Sequence, residues 1–317
     1  MQGIILYDKG KIGSLNQCRG LANALKDHIN ISWQEVPVEF SKIVRWFPPQ
    51  MGLMLSKPYV LGCLNIDAPK ILLASGRQAV LAALSLRQGC YTIVLQDPKI
   101  NPTYFDLVVA PQHDNLQGKN VLSTVGSFHN ITTEELAPVY APLCASTDIK
   151  YITVLLGGDS RHHTYTHGDF LTLSEQLRHM LSLQAYRNGR LLITPSRRTR
   201  PELVEYLKET LSGLSYELWN GSDPNPYKKY LAAAHAFVVT SDSVNMITEA
   251  CLFGKPTYIF QVPMKSKRLQ QFLTTVFDNK NAVPFTQQAL ESPTDFRPLN
   301  EIQRLIPEIL VRIKDKK

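Results

Sequence analysis

The chain has 317 residues, of which 44% are hydrophobic. That suits about two domains of roughly 150 residues, each with a real core, and excludes a disordered chain. The net charge of +7 leans toward the second half without a dense basic cluster interleaved with aromatics. Nucleic acid is therefore not an expected partner; the mild excess reads as a solvated basic surface, and also suits an anionic small ligand or an anionic membrane surface.

Gly3 to Tyr7 predicts a first strand, followed by a polar, glycine-containing loop over Asp8 to Gln17. Cys18 to Lys26 predicts a helix, with Leu21, Ala22 and Leu25 on one face. Ile31 to Val36 predicts the next strand. Arg45-Trp46-Phe47-Pro48-Pro49 and Met51-Gly52-Leu53-Met54-Leu55 form an aromatic, apolar patch near Lys57. It reads either as packing under a long loop or as a surface that rests on a membrane interface. Lys70 to Ala74 predicts a buried strand, then Ser75-Gly76-Arg77 and an apolar helix to Leu86. Two more strands follow, Tyr91 to Leu95 and Phe105 to Ala110. They end in Gln96-Asp97-Pro98 and Pro111-Gln112-His113-Asp114. Asn120 to Val125 closes the first half, and residues 127–149, with Pro138 and Pro142, read as a crossing segment.

The alternation then restarts. Tyr151 to Leu156 predicts a strand that runs into Gly157-Gly158-Asp159, and Asp169 to Tyr186 predicts a helix. Arg190 to Thr194 predicts a strand ending in Pro195-Ser196-Arg197-Arg198-Thr199. Pro201 suits the first turn of the helix after it. Tyr216 to Trp219 is a strand. The stretch from Asn220 to Phe260 gives a turn, a helix over Pro226 to Ala234 and a strand over Ala236 to Thr240. A Ser241-Asp242-Ser243 turn, a helix carrying Glu249 and a strand over Thr257 to Phe260 complete it. Asn300 to Lys314 predicts a final amphipathic helix.

Continuous apolar strands separated by helices imply parallel sheets covered on both faces. The expected fold is α/β and GT-B-like, with two facing Rossmann-like doubly wound domains and a cleft between them. The expected boundaries are 1–145, 146–299 and a C-terminal helix, 300–317, that packs back on the first domain. Ligands bind beyond the carboxyl ends of strands in such sheets, and the polar clusters fall at those ends.

Gly157-Gly158 reads either as a tight turn or as a loop whose N–H groups approach a diphosphate. It is neither a Walker A loop nor GxGxxG. Ser196-Arg197-Arg198 offers two guanidiniums suited to phosphate, or a solvated pair bridged to Glu202 or Glu205. Ser241-Asp242-Ser243 reads as a cap for the next helix and, in the same turn, as a phosphate contact at a helix N-terminus that attracts anions. Glu249, two turns in and followed by the apolar Ala250, Cys251, Leu252 and Phe253, reads either as an exposed helix carboxylate or as a partly buried one that accepts hydrogen bonds from sugar hydroxyls. Asp97, His113 and Asp114 are the candidate bases for deprotonating an acceptor. His162, His163 and His167 read as surface histidines rather than a metal cluster. The five cysteines lack paired or zinc-ligand spacing, and Cys90 and Cys251 read as core residues. No metal and no cofactor are expected. With no secretory leader pattern and no apolar run of membrane-spanning length, a cytoplasmic location is expected, with peripheral contact at the inner membrane left open.

Read together, Asn16-Gln17, Gly20-Leu21-Ala22, Ser75-Gly76-Arg77, Gln96-Asp97-Pro98, Pro111-Gln112-His113-Asp114, Gly157-Gly158, Ser196-Arg197-Arg198-Thr199, Asn225-Pro226-Tyr227, Thr240-Ser241-Asp242-Ser243, Glu249-Ala250 and Gly254-Lys255-Pro256 resemble the mitochondrial-fission Elm family. The resemblance runs through most of the chain in order. It implies a GT-B glycosyltransferase-like protein. In the wider group, which includes the peptidoglycan N-acetylglucosaminyltransferase and the lipid A Kdo transferase, a glutamate near the Glu249 position holds the donor ribose. The resemblance also implies transfer from a nucleotide-activated sugar to a cell-envelope acceptor. Two other readings stay open: a nucleotide-sugar 2-epimerase on the same fold, and a non-catalytic adaptor.

Overall fold

The computed structural model describes residues 1–40, 70–132, 135–136, 148–160, 163–292 and 294–316. The aromatic patch over 45–55, most of the crossing segment, His162, Cys63 and Cys144 lie outside the described residues. The chain forms two units, Met1–Asn130 together with Asn300–Lys317, and Ile131–Leu299.

The first unit holds six strands: β1 (Gln2–Asp8), β2 (Ser32–Val38), β3 (Ile71–Ser75), β4 (Tyr91–Leu95), β5 (Leu107–Pro111) and β6 (Val121–Thr124). Their order is β2-β1-β3-β4-β5-β6, and every pair is parallel. All five residues of β3 and of β4 are buried, because helices cover both faces. The two-residue period sorts the side chains. Ile5, Leu73, Ile93 and Val109 pack with Leu21 and Leu25 of α1 (Ile12–Lys26). Leu6, Leu72, Ala74 and Val94 pack with Ala79, Val80 and Ala83 of α2 (Arg77–Leu86).

The expected Asp8–Gln17 loop is corrected. Helix α1 begins at Ile12, so only Lys9–Lys11 link it to β1, and Asn16 and Gln17 sit within the helix. Gly13 and Ser14 disguised the first turn, since glycine costs about 1 kcal/mol in a helix. The buried stripe nevertheless starts at Leu15 and continues through Cys18, Leu21, Ala22 and Leu25. The last helix of the chain, Glu301–Asp315, belongs to the same core through Leu305, Ile306, Ile309 and Ile313. Asn300 caps it by accepting from Gln303 N at 3.1 Å.

The second unit repeats the plan with β7 (Lys150–Leu156), β8 (Gly189–Pro195), β9 (Tyr216–Leu218), β10 (Ala236–Thr240), β11 (Thr257–Phe260) and β12 (Val283–Pro284). The order is β12-β11-β10-β7-β8-β9, again all parallel. Between them run α3 (His167–Ser182), α4 (Pro201–Thr210), α5 (Tyr227–Ala233), α6 (Val244–Cys251) and α7 (Lys267–Asp278), and α8 (Gln287–Glu291) follows β12; the final helix is α9. Helix α3 opens on a capping box in which Thr166 and Asp169 satisfy each other's backbone N–H. It stops at Ser182 rather than Tyr186. The residues Gln184–Tyr186 form a 3-10 turn that buries the tyrosine ring.

A candidate nucleotide-sugar site

Strands β10, β7 and β8 are neighbours in the middle of the second sheet. Their carboxyl ends therefore bring Ser241–Ser243, Gly157–Gly158 and Ser196–Thr199 together. Asp242 ties them. Its side chain is 0% exposed. One carboxylate oxygen accepts from Gly158 N at 3.1 Å and from Arg198 Nη2 at 2.6 Å. The other accepts from Tyr165 Oη at 3.0 Å and Thr240 Oγ1 at 2.8 Å. Burial first, and then the Asp242 charge, pushes the Tyr165 phenol well above its ordinary value, which keeps it a donor.

The glycines follow from this knot. A Cβ on Gly157 would lie 1.9 Å from Asp242 Oδ1, and one on Gly158 would lie 2.1 Å from the backbone of Arg198. Gly157 N donates to Thr240 Oγ1 at 2.7 Å. Thr199 closes the third loop: its hydroxyl accepts from Ser196 N at 2.9 Å and bonds the Gly157 carbonyl.

The two adjacent arginines differ. Arg198 is held at both ends, by Asp242 and by the Gly158 carbonyl at 2.9 Å; neither Glu202 nor Glu205 takes it. Arg197 is exposed, and its guanidinium makes no hydrogen bond or ion pair with a described residue. Ser241 is fully buried against His163, Oγ to Nε2 3.3 Å. His163 is thus a core residue and not a surface histidine. His167 is exposed and packs edge-on against Tyr206. Ser243 caps α6, accepting from Met246 N at 3.4 Å. Ser196 is half-buried and shares its hydroxyl with Thr199 at 3.2 Å. Among the described residues, no three histidine, cysteine or carboxylate side chains cluster as metal ligands.

Glu249 sits on α6, half-buried, and accepts a hydrogen bond from the Tyr227 hydroxyl. Burial raises its carboxyl to about 7, against the pull of that hydrogen bond and of the Lys228 charge. Tyr227 opens α5, whose entry is fastened to the end of β8. Asn225 Oδ1 accepts from Tyr227 N at 3.0 Å and from Thr194 Oγ1 at 3.5 Å. Glu249 is thus linked through Tyr227 and Asn225 to the end of β8. Sequence reasoning gave no role to Tyr165 and Tyr227, the two phenols that hold the rim's carboxylates. The only local signal was the Asn225-Pro226-Tyr227 turn at a helix start.

In the first unit, Asp97 and His113–Asp114 follow the adjacent strands β4 and β5. Lys99 binds both oxygens of Asp97, through its backbone N at 2.8 Å and its ammonium at 2.5 Å. His113 Nε2 lies 3.9 Å from Asp114 Oδ1. Gln17 accepts from Gln96 at 3.1 Å, which puts α1 beside the β4 loop, with Asn16 next to it and half-buried. Arg77 is exposed at the start of α2. Gly76 has φ +107°, and its Cβ would meet Asp8 Oδ1 at 2.5 Å. The buried Asp8 caps α2, accepting from Gln78 N at 2.8 Å and Ala79 N at 3.0 Å. That helix N-terminus is thus filled by the protein's own carboxylate.

Residues 12–313 match the profile of the family described as Mitochondrial fission ELM1. The mitochondrial fission protein ELM1 of Arabidopsis thaliana is 26% identical over 267 residues, 74% of this chain and 62% of that one. The match thus spans less than two thirds of the plant relative. An uncharacterized protein of Rickettsia prowazekii is 24% identical over 291 residues, 78% of this chain and 81% of that one. Among solved structures, UDP-GlcNAc 2-epimerase from Methanocaldococcus jannaschii aligns with a TM-score of 0.60 at 12% identity, covering 98% of this chain and 100% of that one. MurG from Acinetobacter baumannii aligns at 0.56 and 9% identity, with coverage of 98% and 100%. At such identities the likeness shows the fold, which is of GT-B type.

Proposed function

The chain belongs to the mitochondrial fission ELM1 family, and from the geometry of its second unit we propose that it binds a nucleotide-diphosphate sugar and transfers the sugar to an acceptor hydroxyl. The reading rests on Glu249, a half-buried carboxylate on α6 that is held by Tyr227, whose own turn is fastened through Asn225 to the end of β8. In this reading Glu249 accepts from the ribose hydroxyls. Arg197 faces the diphosphate with its planar fork of donors, and the amides opening α6 add their partial positive charge. Arg198 contributes its charge from a fixed position rather than as a mobile clamp. These donors offset the phosphate charge, so no metal is expected in the reaction.

The acceptor is assigned to the rim of the first unit and, by class, to the cell envelope. There the His113–Asp114 pair is the better base, because Lys99 engages both oxygens of Asp97. Among the described residues no helix is long and apolar enough to cross a membrane. Contact with the cytoplasmic face of the inner membrane would be peripheral.

A thermal-shift panel of UDP-, GDP-, ADP-, TDP- and CMP-sugars on the wild type and Glu249→Ala tests this, since a ligand that binds the folded state stabilises it. A sugar nucleotide that stabilises the wild type but not the variant supports the reading. Release of a free epimerised sugar without acceptor would move the assignment to a 2-epimerase. No shift with any nucleotide would leave a binding adaptor.

A further inference from the structure

We propose a second ligand site in the first unit, for a small amphiphilic carboxylate with an apolar body and one anionic head. A cavity of about 570 Å³ opens where β3 and β4 begin. Interiors are packed so that few voids exceed a water molecule, whereas pockets for small organic ligands span about 300–1,000 Å³. This one has a ligand's size. It also lies away from the nucleotide chemistry. Ile71 and Tyr91 are the first residues of their strands, while Ser75 and Leu95 end them at the polar rim. Four residue steps separate the two ends, about 13 Å.

The lining sorts by chemistry. Ile71, Cys90, Tyr91 and Ile313 line it, and each is buried in the protein at 2%, 5%, 7% and 7% exposure. Burial pushes the Cys90 thiol up to about 11, so this wall is neutral. The mouth carries two cations. Lys70 is exposed, and its ammonium has no partner among the described residues. Lys316 pairs with Asp106 and lies 5.7 Å from the Tyr91 ring centroid. Apolar walls exclude a nucleoside, whose many polar groups would be left unpaired. With Lys316 offset by Asp106, the unpaired Lys70 leaves a net positive charge that favours an anionic head. One carboxylate fits the mouth: it meets the unpaired Lys70 outright and shares Lys316 with Asp106.

The test uses the full chain and two probes, 8-anilinonaphthalene-1-sulfonate as fluorophore and dodecanoate as competitor. We expect one saturable fluorophore site per chain, emptied by dodecanoate and not by dodecylammonium. Lys70→Glu, an exposed change, should weaken dodecanoate at least tenfold. Ile313→Trp, which fills the cavity, should abolish binding while the circular dichroism of the wild type is kept. If Ile313→Trp fails to fold, Lys70→Glu decides alone. Equal competition by dodecylammonium, wild-type affinity in Lys70→Glu, or the lack of a saturable site would each overturn the proposal.

Discussion

Glu249 is the side chain whose behaviour depends most on its surroundings. Accepting from ribose hydroxyls favours its ionised form, and burial holds its carboxyl near 7. Nucleotide affinity should therefore rise as pH climbs through about 7, measured by calorimetric titration. Tyr227→Phe deletes a hydrogen bond that stabilises the carboxylate, so the midpoint should move up. Glu249→Gln should flatten the profile. Stability runs the other way. The folded value lies above the ordinary 4.5, so the folded state holds an extra proton between the two values. The stabilisation from this group is full below the ordinary value and is lost as pH rises through about 7. Opposite trends in affinity and stability over one window separate Glu249 from a general pH effect. A flat wild-type affinity profile would sink the assignment. The carboxylate itself was legible in the sequence from its apolar neighbours, but its partner was not. Tyr227 is 22 positions away and on another helix, and only the tertiary fold joins them.

The strand-end loops act as one element. Asp242 reaches Gly158 across 84 positions and Arg198 across 44. No local pattern reveals such links, so the sequence offered Asp242 and Arg198 as phosphate contacts and left their ion pair unseen. Because backbone meets backbone at Gly158, the clash cannot be relieved by turning a side chain. Gly158→Ala should displace the β8 loop, cost about 1–3 kcal/mol as overpacked sites do, and weaken nucleotide binding. Gly168→Ala is the contrast. Its added carbon meets only Thr166 Oγ1, at 3.6 Å, in the exposed first turn of α3. It should stabilise by about 0.4–1 kcal/mol by restricting the unfolded chain. Urea denaturation of both variants checks the pair, and equal effects would refute the packing argument. Elements themselves were far more legible than their links. The runs ILLAS, YTIVL and AFVVT are strands because two covered faces demand unbroken apolar residues. The start of α1 was hidden by Gly13, whose local preference the buried stripe overrides.

At the scale of the molecule, each unit carries its own core. In the first, α9 closes the cluster begun by α1, although nearly the whole chain separates them. In the second, Leu173, Leu177, Ile193 and Val238 form a separate cluster. A chain built this way should unfold in more than one calorimetric step, since two-state behaviour belongs to single small domains. The steps can be assigned by perturbing each unit alone. Ile309 is 0% exposed between α9 and the first sheet, and truncating a buried isoleucine costs about 2–5 kcal/mol. Ile309→Ala should lower one transition only. The sugar nucleotide identified in the panel should raise the other, because its proposed contacts lie wholly within Ile131–Leu299. A nucleotide that instead raised the transition lowered by Ile309→Ala would place its site in the first unit. Residues Gly157, Arg197 and Glu249 would then be relieved of the donor role.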